Sequence, residues 1–141
     1  MSPEESHAIE LLGRVPYGRL AASRRALPLL APARHIVCDG QLLLRMHGGL
    51  GHHEACDGSV VAYGADNLNT AAPGDRDLWA VQFTGTAELT EPSRVQRARF
   101  GAPPAEVNGE TFDPVYLRLH PRFASWHTLG WNSSPHPGHV A

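Results

Sequence analysis

The apolar and polar residues alternate with the two-residue period of β-strands over most of the chain, and helical periodicity is confined to two short stretches. Ser2-Pro3-Glu4-Glu5 supplies a cap, a first-turn proline and first-turn acids, which predicts a helix from here to about Leu12, with Gly13 at its end. Residues 92–100 repeat apolar positions in helical fashion and stop at Gly101. The remaining patterned segments predict short strands.

The strongest local signal is the dipeptide Asp39-Gly40, which separates the β-prone runs 35–38 and 41–45. Both central residues of a two-residue type I′ turn need positive φ, and this dipeptide tolerates it, so a hairpin is predicted. Pro28 has no backbone donor and indicates an edge or bulge, and Gly85 indicates a bulge or a close approach of two strands. Further predicted strands cover residues 17–22, 26–30, 59–65, 78–89, 115–119 and 125–129.

Short strands separated by turns favour a mostly β fold, a closed or nearly closed barrel with small helices. At 141 residues the chain fits one domain, which we place at residues 1–129, followed by a flexible polar tail at 130–141. A small barrel has little interior space, so a ligand would fit more readily between two copies of the chain.

The composition of the chain argues against several classes of function. Twelve basic against fourteen acidic residues give a net charge of −2, which argues against nucleic acid as a partner. All the basic residues are arginine, so a lysine nucleophile or Schiff base is excluded. No apolar run reaches the about 20 residues of a membrane span, and none near the start has signal-peptide length, so no membrane partner and a cytoplasmic location are expected. Cys38 and Cys56 are expected to be reduced thiols.

The most unusual local composition is the loop at residues 46–53, where three histidines accompany three glycines. Such a loop offers side-chain donors on a backbone that can approach a ligand closely, so we expect it to be functional. Residues 52–57 contain histidine, glutamate, cysteine and aspartate, whose side chains can bind a transition metal. Adjacent His52 and His53 do not share one helix face, however, and the prediction is that no metal is bound. No G-x-S-x-G pattern supports a hydrolase.

Several segments together resemble the pyridoxamine 5'-phosphate oxidase-like, FMN-binding split-barrel family, over about residues 7–129. They are Gly-Arg-Leu-Ala at 18–21, Leu-Leu-Leu-Arg at 42–45, Val-Val-Ala-Tyr-x-Ala-Asp at 60–66, Trp-Ala-Val-Gln-Phe-Thr-Gly-Thr-Ala at 79–87 and Tyr-Leu-Arg-Leu-His-Pro at 116–121. The resemblance implies a six-stranded split barrel that forms a two-fold homodimer with cofactor sites built from both chains.

The same resemblance implies which residues bind the cofactor. Arg45 takes the position of the family's phosphate-binding arginine. Met46 stands where a hydroxyl is usual, and the usual lysine falls at residues 51–53. His47, His52 or His53 and the backbone amides of the glycine-rich loop would therefore have to supply the missing donors. The strand before the hairpin passes beside the flavin ring in this family, which places Arg34, His35 and Ile36 there. Ala80, beside Trp79, takes a position from which a polar side chain often reaches the ring or its ribityl chain in this family.

The function implied is that of an FMN-type flavin or deazaflavin oxidoreductase acting on a small organic substrate. A non-enzymatic or repurposed protein that binds haem or flavin is the alternative, and a tailoring enzyme with another cofactor held by the histidine-rich loop is a further one. His35 has two readings, a residue facing the cofactor or dimer partner and a hydrogen-bonded structural histidine. Trp79 likewise has two interpretations, as a residue of the hydrophobic core and as a residue that stacks on the cofactor ring. No catalytic acid or base is assigned.

Overall fold

A computed structural model describes residues 2–74 and 76–129. The predicted tail at 130–141 lies outside the described residues. The described residues form three α-helices, α1 (Pro3–Leu12), α2 (His52–Cys56) and α3 (Arg94–Phe100), and one 3-10 turn at Leu68–Thr70. The strands are β1 (Tyr17–Arg24), β2 (Leu27–Cys38), β3 (Gln41–His47), β4 (Val60–Asp66), β5 (Leu78–Leu89), β6 (Glu106–Val107), β7 (Glu110–Thr111) and β8 (Pro114–Leu129).

Six of these strands close into a barrel in the order β1-β2-β3-β8-β5-β4, with every neighbouring pair antiparallel. Strands β6 and β7 form a separate two-stranded hairpin. Alternate side chains of the barrel strands point inward and pack a core that includes Leu20, Leu44, Tyr63, Phe83 and Leu117. The predicted mostly β, six-stranded barrel with small helices is confirmed.

Helix α1 begins and ends where the sequence predicts. The Ser2 hydroxyl accepts a hydrogen bond from the Glu5 amide, Pro3 opens the first turn, and Gly13 caps the end. Ala8, Leu11 and Leu12 are buried against the barrel core. The carbonyl end of α1 therefore lies next to barrel residues that also shape the site.

The predicted hairpin between β2 and β3 is confirmed, with φ of 52° at Asp39 and 76° at Gly40. Because the turn contains two residues, Cys38 pairs with Gln41 and the ladder continues without a break to Arg34 opposite Arg45. Directly opposed residues project to the same face of a sheet. The turn thus sets the pairing of two arginines that lie several residues away from it.

Two predicted strand breaks are absent. Residues 27–30 and 35–38 belong to the single strand β2, with Ala26 in the turn before it, and residues 115–119 and 125–129 belong to β8. Pro28 and Pro32 are tolerated because β3 pairs only with residues 34–38 of β2, so the first half of β2 has a sheet partner on one side only. In β8 the register against β5 shifts between Thr84 and Gly85, which lets one long strand bend around the barrel.

Within residues 2–74 and 76–129, no helix has the length and apolar character needed to cross a membrane.

Candidate functional site

A cavity of about 260 Å³ lies on the outer face of β2 and β3, and two arginines, Arg34 and Arg45, line it. We call it the arginine cavity. Its apolar walls come from β2, from the loop after β3 and from the segment that leads into β8. None of the described residues that line it is acidic. The lining residues are Tyr17, Leu30, Ala31, Pro32, Ala33, Arg34, Arg45, Met46, His47, Leu50, His52, Pro104, Val107 and Phe112.

Arg45 is the more deeply placed of the two arginines, with only 3% of its surface exposed. Its Nη1 donates to the Gly101 carbonyl at 2.9 Å, and its guanidinium lies 5.4 Å from the centre of the Phe100 ring. Arginine stays protonated in proteins, so this position holds a nearly buried positive charge. A carbonyl dipole and a ring face offset that charge only in part.

Arg34 lies across the strand pair from Arg45 and is also held by carbonyl groups. Its guanidinium donates to the carbonyls of Pro16 at 3.2 Å, His35 and Arg99 at 3.4 Å. Like charges directly opposite each other in a sheet repel. Two arginines that line one cavity, with no acidic side chain among its described lining residues, therefore favour an anionic ligand there.

His47 is part of the same wall, in an orientation fixed by its neighbours. Its Nδ1 accepts a hydrogen bond from the Asp113 amide at 3.0 Å, which assigns the proton of the neutral ring to Nε2. That Nε2 is buried and has no hydrogen-bond partner among the described residues; the nearest carboxylate oxygen, of Glu110, is 3.8 Å away. Gly49 packs against it, since a Cβ there would lie 2.3 Å from Nε2. The glycine loop thus closes over the imidazole.

The structure brings five of the predicted site residues together at the arginine cavity: Arg34, Arg45, Met46, His47 and His52. The Met46 side chain points largely into the barrel core, so it contributes bulk to the cavity floor and no hydrogen bond. His52, the first residue of α2, also lines the cavity.

The other predicted residues lie elsewhere. Trp79 is buried in the barrel core, and Ala80 lies in a shallow cavity on the outer face of β1, β4 and β5. His53 lines a cavity beside the start of α3, where its Nδ1 is buried without a hydrogen-bond partner among the described residues. Ile36 packs with Leu43 and Phe100 beside the arginine cavity.

His35 points inward, on the side of β2 opposite Arg34. Its Nε2 lies 2.9 Å from the Leu12 carbonyl, and its Nδ1 lies 2.6 Å from the Tyr63 hydroxyl, which is also 3.1 Å from the Ala33 carbonyl. A carbonyl can only accept, so in the neutral ring Nε2 carries the proton. This geometry matches the structural reading of His35, which joins the end of α1 to the barrel.

The buried position of His35 makes folding sensitive to acid. Burial lowers its pKa from the ordinary value of 6.5. As the pH falls below that value, the unfolded chain takes up a proton that the folded chain resists. The free energy of unfolding is therefore expected to drop by up to about 1.4 kcal/mol per pH unit until the folded-state pKa is reached.

Urea unfolding between pH 7 and about pH 5, above the range where most carboxylates titrate, measures this effect. His35→Gln is the matched variant, because it removes the titrating group and keeps a polar side chain. Its stability is expected to vary less with pH over the same range. An equal pH dependence in both proteins would assign the effect to other groups.

Metal-binding residue types are present near the site but do not converge. Within the described ranges, no group of three or more histidine, cysteine, aspartate or glutamate side chains comes together as a metal site. His52 and His53 line different cavities, and Cys56 is buried in the barrel core, where burial raises the pKa of its thiol.

The sequence did not predict the cavity wall that residues 101–113 contribute. Strands β6 and β7 form a hairpin here, and Val107 on β6 and Phe112 directly after β7 line the arginine cavity. The signal was present as Asn108-Gly109, whose φ values of 50° and 80° suit the same turn type as Asp39-Gly40. Two-residue strands give too short an alternation to draw attention to it.

Comparisons with known proteins agree with this architecture. Residues 4–128 match the family model described as pyridoxamine 5'-phosphate oxidase. The uncharacterized protein Rv0080 of Mycobacterium tuberculosis is 36% identical over 100 residues, which are 67% of this chain and 64% of that protein. The chain thus spans somewhat less than two thirds of that relative's length.

Solved structures show the same fold at low sequence identity. An FAD binding protein from Mycobacterium smegmatis superposes with a TM-score of 0.68 and 18% identity, over 94% of this chain and 98% of that one. A heme binding protein from the same organism superposes with a TM-score of 0.66 and 16% identity, over 95% of this chain and 57% of that one.

Proposed function

Since the chain belongs to the pyridoxamine 5'-phosphate oxidase family of flavin-binding split-barrel proteins, we propose that it binds a flavin nucleotide in the arginine cavity and acts as an oxidoreductase on a small organic substrate. The observation that carries this proposal is the cross-strand pair Arg34 and Arg45, two cations in a cavity wall without acidic residues. Flavin nucleotides and deazaflavin share an anionic tail on a planar ring. The cavity offers arginines for the tail and apolar side chains for the ring.

The residues present fit such a group. Guanidinium groups form charge-assisted hydrogen bonds to phosphate, each contributing about 1.5–3 kcal/mol. Leu30, Pro104 and Phe112 offer apolar walls against which a planar ring can pack. Met46 supplies no hydroxyl, so His47 and His52, which both line the cavity, are the side chains available to replace the family's usual donors.

When bound, the flavin ring supplies the hydride chemistry. The chain's own contribution is position and electrostatics: Arg34 and Arg45 hold the anionic tail, and the apolar walls exclude water. No side chain in the cavity is assigned as a proton donor or acceptor in the reaction.

We further propose that a second copy of the chain completes the site. The cavity, at about 260 Å³, is smaller than the about 300–1,000 Å³ typical of cofactor sites. Its rim carries the large apolar side chains Tyr17, Leu30 and Leu50, all more than half exposed. Exposed apolar groups that surround an open cavity favour a protein partner.

Leu30→Asp tests this homodimer, because it places a charge among the rim residues. The variant is expected to be monomeric by light scattering and to bind flavin about tenfold more weakly. Val95→Asp is the matched control, because Val95 is an exposed apolar residue on α3 that lines neither the arginine cavity nor its rim. A dimer that survives in Leu30→Asp would place the interface elsewhere.

The cofactor itself is tested by the absorption spectrum of the purified protein, followed by titration with FMN, FAD and riboflavin. Flavin bands in the isolated protein, or saturable binding on titration, would support the proposal. A protein that is colourless and binds none of the three would contradict it.

Haem binding is a second candidate, favoured by one observation. The His52 imidazole and the two arginines line the same cavity, so a nitrogen ligand for iron and partners for carboxylate tails are close together. A Soret band in the isolated protein would support this alternative, and the titration above would then show no flavin binding.

A further inference from the structure

One part of the wall of the arginine cavity lies outside the barrel sheet. Residues 102–113 connect α3 to β8 through the β6–β7 hairpin, and we call this segment the lid. Among the described residues, the two hairpin strands pair with each other and with no barrel strand. Only Val107 and Phe112 of the lid are partly buried, and both line the arginine cavity. The lid thus buries side chains toward the cavity and exposes the rest.

His47 and the residue after it hold the C-terminal end of the lid against β3. The His47 ring lies over the Phe112 ring, with the ring centres 5.5 Å apart and the ring planes inclined by 28°. His47 Nδ1 accepts the hydrogen bond from the Asp113 amide at 3.0 Å, and the Gly48 amide donates to the Asp113 carbonyl at 2.8 Å. We call these contacts the latch. A segment with so few buried side chains opens at low free-energy cost once such contacts are lost.

Two glycines after His47 leave room for the latch. A Cβ at Gly48 would lie 2.8 Å from Val115 Cγ1 and 2.9 Å from a carboxylate oxygen of Asp113. A Cβ at Gly49 would lie 2.3 Å from His47 Nε2 and 2.9 Å from His47 Cε1. A side chain at either position would therefore push against the lid or against the imidazole. Neither glycine lines the arginine cavity, so their close contacts serve the latch.

The Nε2 side of the imidazole takes no part in the latch. Nε2 is buried without a hydrogen-bond partner among the described residues, and the closest Glu110 carboxylate oxygen lies 3.8 Å away. That separation is too long for a hydrogen bond. His47 therefore holds the lid through its ring face and through Nδ1. An asparagine, whose side-chain oxygen lies close to the position of Nδ1, would keep the acceptor and lose the ring.

We propose that the lid opens over the arginine cavity, that the ligand enters and leaves through the open form, and that His47 is the positioning residue that keeps the lid closed. This inference rests on the proposed function, in which a second copy of the chain covers the exposed rim and leaves the lid as the movable boundary of the site. The latch contacts are made within the chain and need no ligand. Weakening them therefore raises the population of the open form equally with the cavity empty or filled. Entry and exit are then faster by the same factor, and the affinity is unchanged while the open form stays rare.

Amide hydrogen exchange of the unliganded chain, followed by NMR, tests the latch without any ligand. The Gly48 amide is the reporter, because its partner is the Asp113 carbonyl at the end of the lid. His47→Phe keeps a ring for the stack and removes the acceptor. The Gly48 amide is expected to exchange about 3- to 10-fold faster in this variant, which corresponds to the loss of one hydrogen bond. His47→Asn restores the acceptor and is expected to restore part of the protection.

Gly49→Ala disturbs the latch from outside the cavity. The added methyl group displaces the imidazole and changes no residue that lines the cavity, so exchange of the Gly48 amide is expected to quicken as in His47→Phe. Gly64→Ala is the matched control, because a Cβ there has the Val81 carbonyl oxygen as its nearest atom, at 3.6 Å, and exchange is expected to be unchanged. A wild-type exchange rate in both His47→Phe and Gly49→Ala would show that His47 does not hold the lid.

Stopped-flow measurements with FMN test the route of the ligand. In His47→Phe and Gly49→Ala the association and dissociation rate constants are both expected to rise by the same factor, about 3- to 10-fold, with Kd within about twofold of the wild type. An equal loss of affinity in His47→Phe and His47→Asn would instead make Nε2 a ligand donor and overturn the proposal.

Two other results are also decisive. If the Gly48 amide exchanges faster while the FMN rates stay the same, the lid opens but is not the route of the ligand, and the inference is wrong. If no flavin binds, the proposed function fails and the ligand route fails with it, whereas the amide exchange still decides whether His47 holds the lid.

Discussion

Alanine in place of Arg45 is expected to weaken the binding of FMN by about 10- to 100-fold, the loss that follows from removing one charge-assisted contact to phosphate. The effect is large because Arg45 is almost fully buried at the cavity wall, where water cannot replace the lost donor. Titration followed by flavin fluorescence or absorbance measures it directly.

Riboflavin distinguishes this role from a structural one. It carries the same ring without the phosphate, so its affinity is expected to change far less in Arg45→Ala than that of FMN. The variant also removes the bond to the Gly101 carbonyl, and a general disturbance of the site would weaken both ligands equally. That second result would contradict the assignment of Arg45 to phosphate.

Arg118→Ala is the matched control. Arg118 lies opposite Leu43 on the neighbouring strand β8, and it forms a surface ion pair with Glu88 at 3.6 Å. Surface pairs contribute about 0–1 kcal/mol, so neither folding nor flavin affinity should change appreciably.

The pairing of Arg34 with Arg45 could have been predicted from the sequence. Once Asp39-Gly40 is identified as a two-residue turn, each step away from it along both strands fixes the next cross-strand pair. The alternation of strand side chains then puts Arg34 and Arg45 on one face and His35 on the other. The resemblance suggested that all three residues lie beside a cofactor, but backbone alternation directs His35 to the opposite face of the strand from Arg34 and Arg45.

The part of the cavity wall formed by residues 104–112 could not have been predicted in this way. Pro104, Val107 and Phe112 are distant in sequence from β2 and β3, and they arrive there because α3 ends on the carbonyls that Arg34 and Arg45 hold. Contacts of this kind depend on tertiary packing of an irregular segment, for which periodicity gives no signal. Local turn chemistry alone could have indicated the Asn108-Gly109 hairpin, but not the cavity it covers.

Strand lengths were misjudged for a related reason. Proline and changes of alternation indicate breaks, but a strand with a partner on one side only, such as the first half of β2, accommodates both. Gly85 was interpreted correctly as a bulge or a close approach, and it is in fact both. A glycine on a long strand proved a better guide to barrel curvature than the proline in β2.

That close approach makes Gly85→Ala the substitution with the largest expected effect on folding. A Cβ at this position would lie 1.9 Å from the carbonyl oxygen of His120 and 3.2 Å from the amide nitrogen of Arg122. Both are backbone atoms at the bulge of β8, so neither can turn aside as a flexible side chain would. The free energy of unfolding is expected to fall by about 3 kcal/mol or more.

Gly64→Ala shows whether the loss comes from the bulge or from glycine in a strand generally. Gly64 lies on the neighbouring strand β4, and the nearest atom to its Cβ would be the Val81 carbonyl oxygen at an ordinary 3.6 Å. Its stability is expected to stay within about 1 kcal/mol of the wild type, since alanine fits there and restricts the unfolded chain. Urea unfolding of both variants measures the difference. Equal losses would mean that β8 can shift away from β5, and that the bend in β8 does not depend on the missing side chain at residue 85.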